Sequence, residues 1–386
     1  MSEPRFFEES ELVSVLTSQP LDQMLDYKSP SGGCWQGNFV EVPLGPRKTL
    51  GVIWCAGKGD FEYNKVRSVI RILDVVPMQP SMQEFLRRVS DYTLSPMHTM
   101  LRLATRAPGL GDPASMRHVY RKGQAEAGRM TDARLRVLAV LQNSHDLSFT
   151  LKELAEAANA TTAVVKGLVK VGAVEEVTTP RDTPFPVLNP SLSGKSLSED
   201  QAHAVTQLRS SDAGYHTTLL KGVTGSGKTE VYLEAVADCL KHGRQALVLL
   251  PEIALTAEFL TRVEGRFGAN PAEWHSGVTM TERRRTWKMV GEGHAQMVVG
   301  ARSALFLPFQ NLGLIVVDEE HDSSYKQEDG VLYNARDMAV LRASLVGGQV
   351  VLASATPSLE SWVNVEAGKY KKIELNSRFG KAAMPS

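Results

Sequence analysis

GVTGSGKT, residues 222–229, is the stretch on which the fold of this chain turns. It fits the pattern G-x-x-x-x-G-K-[ST] and has the context that pattern needs: a β-branched and apolar run at 217–220 before it and a helical stretch at 230–240 after it. Glycines let backbone N–H groups close around phosphate oxygens, and the start of the following helix adds a positive dipole end. Gly222, Val223, Thr224, Gly225, Ser226 and Gly227 therefore form a candidate phosphate loop. Lys228 can reach the β and γ phosphates of ATP, and Thr229 can ligate Mg2+.

Outward from this loop the texture is strand and helix in alternation. Apolar runs at 246–250, 297–299, 314–317 and 349–353, with helical stretches between them, predict a parallel α/β sheet over residues 199–386. The run at 314–317 ends in Asp318, Glu319, Glu320 and His321, at the carboxyl edge of the sheet, where ligands of open α/β folds bind. Asp318 is placed to hold Mg2+ through water, which leaves Glu319 as general base for an attacking water. Glu320 and His321 complete the candidate nucleotide contacts. An acidic cluster after a strand is also what a helix N-terminus favours, and here the phosphate loop decides for catalysis by Lys228, Asp318 and Glu319. Ser354 and Thr356 put two hydroxyls at another strand end.

The order of phosphate loop, Asp-Glu-Glu-His and Ser-Ala-Thr resembles the first, RecA-like lobe of superfamily 2 helicases, in which the Ser-Ala-Thr triplet couples nucleotide state to DNA. Longer motifs narrow this. GVTGSGKTEVY (222–232), PEIALT (251–256), GARSALFLPF (300–309) and DEEHDSSYKQ (318–327) look like the PriA family of primosomal replication-restart helicases. The resemblance runs along nearly the whole chain and is strongest in the motor.

The resemblance implies an ATP-dependent DNA helicase with 3′ to 5′ polarity. It would recognise abandoned or stalled forks, remodel them, and promote primosome assembly and reloading of the replicative helicase. Forked and single-stranded DNA, restart proteins and single-stranded-DNA-binding protein are the implied partners. Gln201 would read the adenine edge, or else face solvent as a helix-start residue. Residues 251–256, with Arg302 and Ser303, would contact the single-strand backbone, unless Arg302 forms a structural ion pair. Tyr325, Lys326, Tyr333 and Arg336 fall on the family's aromatic-rich loop, where Tyr333 has core packing as its other reading. Trp274, His275 and residues 283–285 are weaker DNA candidates. In front, Leu25, Asp26, Gly45 and Arg67 fall where the family keeps its pocket for a 3′ end. The family often has an aromatic at Leu25 and a Lys at Arg67, and Asp26 also reads as a turn residue.

The family further implies a second motor lobe, zinc-binding cysteines and a C-terminal DNA-binding domain downstream, so these residues alone are expected to be almost inactive as an ATPase. Open alternatives are another superfamily 2 translocase, or a fork-binding scaffold without motor activity. Cys34, Cys55 and Cys239 are too scattered for a zinc site or a disulfide framework.

The remainder of the chain reads as two further domains. Residues 1–105 are β-rich, with strand-like runs at 38–42, 49–54 and 69–76 and helices at 82–91 and 96–104 capped by Ser81 and Ser95. Residues 106–180 show three short helices, two of them capped by Thr150 and Thr161, and then a strand at 173–177; this predicts a winged helix that binds DNA or wedges against a protein. Pro180, Pro184, Pro186 and Pro190 mark 181–198 as an extended linker.

With 43 Lys+Arg against 43 Asp+Glu, any nucleic-acid surface must be local. Arg102, Arg106, Arg117, Arg121, Lys122, Arg129, Arg134 and Arg136 cluster, as a solvated linker or as a DNA contact. The N-terminus is unlike a signal peptide and no run reaches a membrane span, so a cytoplasmic protein is expected.

Overall fold

The structure is a computed structural model describing residues 3–21, 23–112, 116–125, 130–143, 149–209, 214–251, 254 and 256–376. The chain forms two compact units, Met1–Gly111 together with Pro184–Ser386, and Asp112–Thr183.

The front of the first unit contains β1 (Phe6–Phe7), β2 (Leu12–Thr17), β3 (Leu25–Lys28), β4 (Cys34–Trp35), β5 (Phe39–Leu44), β6 (Arg47–Ala56) and β7 (Arg71–Ile72). Five of these make an antiparallel sheet in the order β3-β2-β6-β5-β7, and β1 pairs with β4. Strand periodicity sorts its side chains onto two faces. Val13, Val15, Val40, Val42 and Ile53 pack with Phe7 and Tyr27 in a small core of their own. The alternate residues Leu16, Phe39 and Val52 face α1 (Pro80–Thr93) and α2 (Met97–Ala104) and join the large core of the motor. Phe85 meets Phe306 at 5.5 Å between ring centres, and Trp287 lies edge-on to Phe39 at 5.6 Å while its indole N–H donates to the Ala104 carbonyl at 2.7 Å. Front sheet and motor thus share one interior. Ser81 and Ser95 are not the helix caps: Gln79 and Pro96 hold those positions, because Pro80 is pre-set for the first helical turn.

The second unit comprises β8 (Met116–Lys122), α3 (Asp132–Asn143), α4 (Leu151–Ala157), α5 (Thr162–Lys170) and β9 (Val174–Pro180). Three helices close on Val137, Leu154, Val165 and Leu168, and β8 and β9 pair antiparallel from Met116 opposite Pro180 to Lys122 opposite Val174. This is a winged-helix arrangement. Thr150 accepts from the Glu153 N–H while the Glu153 carboxylate, held below its usual range by the Thr150 backbone N–H, completes a capping box. The basic stretch is not a linker: Arg117, Arg121 and Lys122 lie on β8, and Arg136 donates to the carbonyls of Ala158 and Asn159. Arg129 lies outside the described residues.

The motor contains α6 (Glu199–Arg209), β10 (His216–Gly222), α7 (Lys228–Lys241), β11 (Gln245–Leu249), α8 (Ala257–Phe267), β12 (Ala272–Trp274), α9 (Met280–Gly291), β13 (Met297–Gly300), β14 (Leu312–Asp318), α10 (Ala335–Val346), β15 (Gln349–Ser354), α11 (Leu359–Glu366) and β16 (Lys371–Leu375). Seven parallel strands run in the order β12-β13-β11-β14-β15-β10-β16. Leu247, Leu249, Ile315, Val317 and Leu352 face one core, and Ala246, Val248, Leu314, Val316 and Ala353 face the other. That doubly covered burial explains their uninterrupted apolar runs. The proline-rich segment before the motor is tied down: the Asn189 N–H donates to the Phe267 carbonyl, and Arg266, paired with Glu234 at 2.7 Å, donates to the Leu192 carbonyl.

Candidate nucleotide and strand-binding site

Gly225 and Gly227 hold φ of 81° and 80°, the left-handed region that turns successive backbone N–H groups toward one concavity. A Cβ on Gly227 would stand 2.0 Å from Gln201 Nε2, and one on Gly222 2.5 Å from Ser226 Oγ, so neither tolerates a side chain. The Ser226 hydroxyl is buried and has no hydrogen-bond partner among the described residues. Lys228, 8% exposed, donates from Nζ to the Gly222 carbonyl at 3.0 Å and stands 3.6 Å from the Glu319 carboxylate. This is a preformed anion cradle whose lysine is held by groups a phosphate could replace, and it fits a Mg2+-bound triphosphate.

Tyr232 is the residue that sequence inspection misses here. One turn beyond Lys228 on α7 and fully buried, it donates to Asp318 Oδ2 at 3.0 Å and lies in hydrogen-bonding reach of Thr229. It therefore brings the two candidate Mg2+ ligands, Thr229 and Asp318, to one point. Burial and then the neighbouring Glu319 charge push the Asp318 carboxyl up to about 6, against the opposing pull of the Tyr232 hydrogen bond. Glu319 has a φ of 46°, a left-handed conformation uncommon for a non-glycine residue, and its N–H donates to Asp318 Oδ1 at 3.0 Å. That bend turns Glu319 toward Lys228.

Glu320, expected at the nucleotide, is committed elsewhere, whereas His321, also expected there, is exposed and its Nδ1 lies 3.6 Å from the Glu319 carboxylate. Glu320 is buried and accepts from the Ser358 N–H at 2.7 Å, from the Ser358 and Ser361 hydroxyls, and from Arg336 at 3.4 Å. Buried carboxylates persist only when so satisfied. His321 Nδ1 lies 2.8 Å from the Ser354 hydroxyl, which in turn accepts from the Thr356 N–H at 3.1 Å. The acid box is thereby wired to the Ser-Ala-Thr triplet. Gln201, expected to read adenine, is 1% exposed, with its carbonyl accepting from the Ser198 N–H and its amide donating to the Ser226 carbonyl at 2.9 Å. In this structure it braces the phosphate loop.

The strand-binding candidates separate into surface and core. Pro251, Ala301, Arg302, Ser324 and Tyr325 line a cavity of about 270 Å3 at the carboxyl edge of the sheet. Arg302 donates to the carbonyls of Ser324 and Lys326, and Ser303 accepts from the Trp274 indole at 3.1 Å. Glu252, Ile253 and Leu255 lie outside the described residues. Lys326 is exposed, but Tyr325, Tyr333, Arg336 and Trp274 are buried. Tyr325 bridges the carbonyls of Leu249 and Asp318, and Arg336 pairs with Glu320 and Asp337, so these residues support the groove from beneath. Arg283 and Arg285 are likewise in use, over the rings of Trp274 and Phe185.

The front-domain candidates fall into two bonded groups. Both Asp26 carboxylate oxygens accept, from Ser14 Oγ at 2.6 Å and from the Gly59 N–H at 2.8 Å. Arg67 donates to the Gly45 carbonyl at 2.9 Å, its own carbonyl accepts from the Lys28 N–H, and the Tyr27 hydroxyl donates to the Pro43 carbonyl. Arg67 and Gly45 are bonded directly, while Leu25 and Asp26, level with Ile53 and Cys55 in the sheet register, lie toward the other end of β6 from the Gly45 turn beside Arg47. No group of His, Cys, Asp and Glu that could hold a metal converges among the described residues.

A doubly covered parallel sheet with a phosphate loop, a carboxylate pair and the two hydroxyls of Ser354 and Thr356 on one edge defines a helicase motor lobe. Residues 198–365 match the DEAD/DEAH box helicase family, and residues 14–106 match the 3′DNA-binding domain (3′BD) family. The chain is 34% identical to replication restart protein PriA of Haemophilus influenzae over 96% of its own length and 52% of the relative's, and 48% identical to that of Rickettsia felis over 52% and 30%. It is thus similar to replication restart protein PriA along nearly its whole length, and spans about half the length, or less, of the curated relatives it matches. Among solved structures, the Hef helicase domain of Pyrococcus furiosus is 18% identical over 50% of this chain and 40% of that one, with a TM-score of 0.37. No described helix is long and apolar enough to cross a membrane.

Proposed function

We propose that the chain is the ATP-binding and fork-sensing part of a replication-restart DNA helicase. The observation that carries this is the meeting of Lys228, Asp318 and Glu319 at one sheet edge, with Lys228 held by displaceable partners. Bound Mg2+ would neutralise phosphate charge. Thr229 and Asp318 are the residues to hold it, oriented by Tyr232, and Lys228 would move from the Gly222 carbonyl onto the β and γ phosphates. Glu319, released from Lys228 by that movement, would accept the proton of the attacking water. His321 and Ser354 would pass the change in the acid box to the strand-binding groove beside Arg302.

In the front sheet, Asp26 would accept from a terminal 3′ hydroxyl, Gly45 would let the sugar approach the backbone, and Arg67 would hold the last phosphate. The reading places the protein at forks with a 3′ end at the branch, where it would unwind 3′ to 5′ and promote reloading of the replicative helicase with other restart proteins. The 386-residue chain by itself would hydrolyse ATP slowly, because transition-state charge in such motors is completed by an arginine of a second lobe.

The test is binding of this chain to forks with and without a 3′ end at the branch, together with ATPase rates on each. A preference for the 3′-ended fork that disappears in Asp26→Ala supports the reading. Equal binding to both forks, or fast DNA-stimulated turnover by this chain alone, would contradict it.

A further inference from the structure

A second cavity, about 320 Å3, opens where α2 of the front domain faces the loop that follows the acid box. The loop is closed at its base by pairing of Lys326 with Asn334, and the Gln327 N–H donates to the Tyr333 carbonyl at 2.8 Å. From that base Val331 and Tyr333 turn inward, while Leu332 between them is 60% exposed. Thr99, Arg102, Leu103 and Arg106 form the opposite wall. Arg102 is steadied by donating to the Ser18 carbonyl at 2.7 Å, and Arg106 is exposed. The positive charges of Arg302 and Arg106 both reach the Tyr333 hydroxyl, opposing the upward push of burial on its ionisation. Arg302 also lines the neighbouring cavity at the carboxyl edge of the motor sheet.

Two exposed guanidinium groups, outnumbering the one carboxylate of the lining, Asp329, beside the half-buried Leu103 suit one polymer chemistry: a phosphodiester held by charge, with an unpaired base laid on Leu103. We propose that this cavity is a binding site for single-stranded DNA, continuing the motor groove onto the front domain, with Arg102 and Arg106 as phosphate contacts. The proposal rests on the strand-binding reading of the motor and extends it. Arg102 and Arg106 belong to the basic stretch whose role the sequence left open. They lie on the motor-facing side of a domain otherwise assigned only to a DNA end.

The experiment is fluorescence anisotropy of the 386-residue chain with oligothymidylates of about 4 and about 12 nucleotides, the longer able to span both cavities. In Arg102→Ala/Arg106→Ala, affinity for the longer strand should fall about tenfold, and its log–log salt slope by about 1.4, the loss of two phosphate contacts. Binding of the shorter strand should be unchanged. Arg106→Glu, which leaves the Arg102 bond to Ser18 in place, should lose as much with an unaltered melting temperature. Unchanged long-strand binding in both variants, or equal loss for the two strands, overturns the cavity and leaves the motor groove standing. Failure of the wild-type chain to bind either strand overturns the motor reading and the cavity with it.

Discussion

Lys228 and Glu319 face one another across the phosphate loop at 3.6 Å. Catalysis requires that they part, the lysine to phosphate and the carboxylate to water. Lys228→Ala should therefore abolish nucleotide binding. Glu319→Gln should bind ATP with near-normal affinity and lower turnover of the intact helicase at least 100-fold. Equilibrium binding of a fluorescent ATP analogue and a phosphate-release assay separate the two.

Asp318 supplies a pH signature. Its carboxyl is raised from 3.8 to about 6, so the neutral form is favoured by folding. That stabilisation is fully present below pH about 4 and is lost as pH rises through 6. Asp318→Asn should then stabilise the nucleotide-free chain at pH 7.5 by up to about 3 kcal/mol and leave it unchanged at pH 4, as read by urea denaturation. Mg2+ needs the ionised form. Mg2+-dependent nucleotide affinity should fall as pH drops below about 6, and Tyr232→Phe, which removes a hydrogen bond to the carboxylate, should move that midpoint upward.

Glu320 and Arg336 form a buried pair, 2% and 6% exposed. Removing one partner strands the other charge, although Arg336 retains Asp337. Glu320→Ala should cost about 3–5 kcal/mol, and the double change Glu320→Ala/Arg336→Met appreciably less than the sum of the single changes. Additive losses would show that the pair is uncoupled.

Gln201 distinguishes bracing from base reading. Its amide holds the Ser226 carbonyl, so Gln201→Ala should weaken ATP and GTP about equally, of the order of tenfold. A loss confined to ATP would return Gln201 to the adenine edge.

The winged-helix unit enters and leaves through paired strands, with Met116 opposite Pro180. Paired Cα atoms lie about 5 Å apart, so the rest of the chain meets this unit as a loop closed at its base. Replacing residues 112–183 with a short Gly/Ser linker should leave the melting temperature of the remainder within a few degrees of its original value. Calorimetry checks this.

The motor was legible because a phosphate loop fixes its own neighbours: strand before, helix after, carboxylates at the same edge. Its inner strands announced themselves as apolar runs, since both faces are covered. The edge strands β12 and β16 did not, because AEW and KKIEL carry charge on their exposed sides. β8, MRHVYRK, was hidden by its basic residues, which flank a short buried pair, Val119 and Tyr120. In the site, the sequence showed which residue types were present but not where their bonds go. Glu320, Gln201 and Arg336 have the right chemistry for ligands, yet long-range partners at Ser358, Ser226 and Glu320 claim them. Tyr232 closes the GVTGSGKTEVY stretch without a role of its own there, and only the turn of α7 places its hydroxyl on Asp318.

Phe39 and Phe85 of the front sheet and α1 lie in the same interior as Trp287 and Phe306, so the front sheet and the phosphate loop belong to one folded body. If it holds a strand end as proposed, such a body would work as a gauge. A strand terminus seated beside Gly45 and Arg67 and the first nucleotide engaged near Arg302 would be separated by a length that the protein sets, so the size of the gap at a fork would be measured before any ATP is spent.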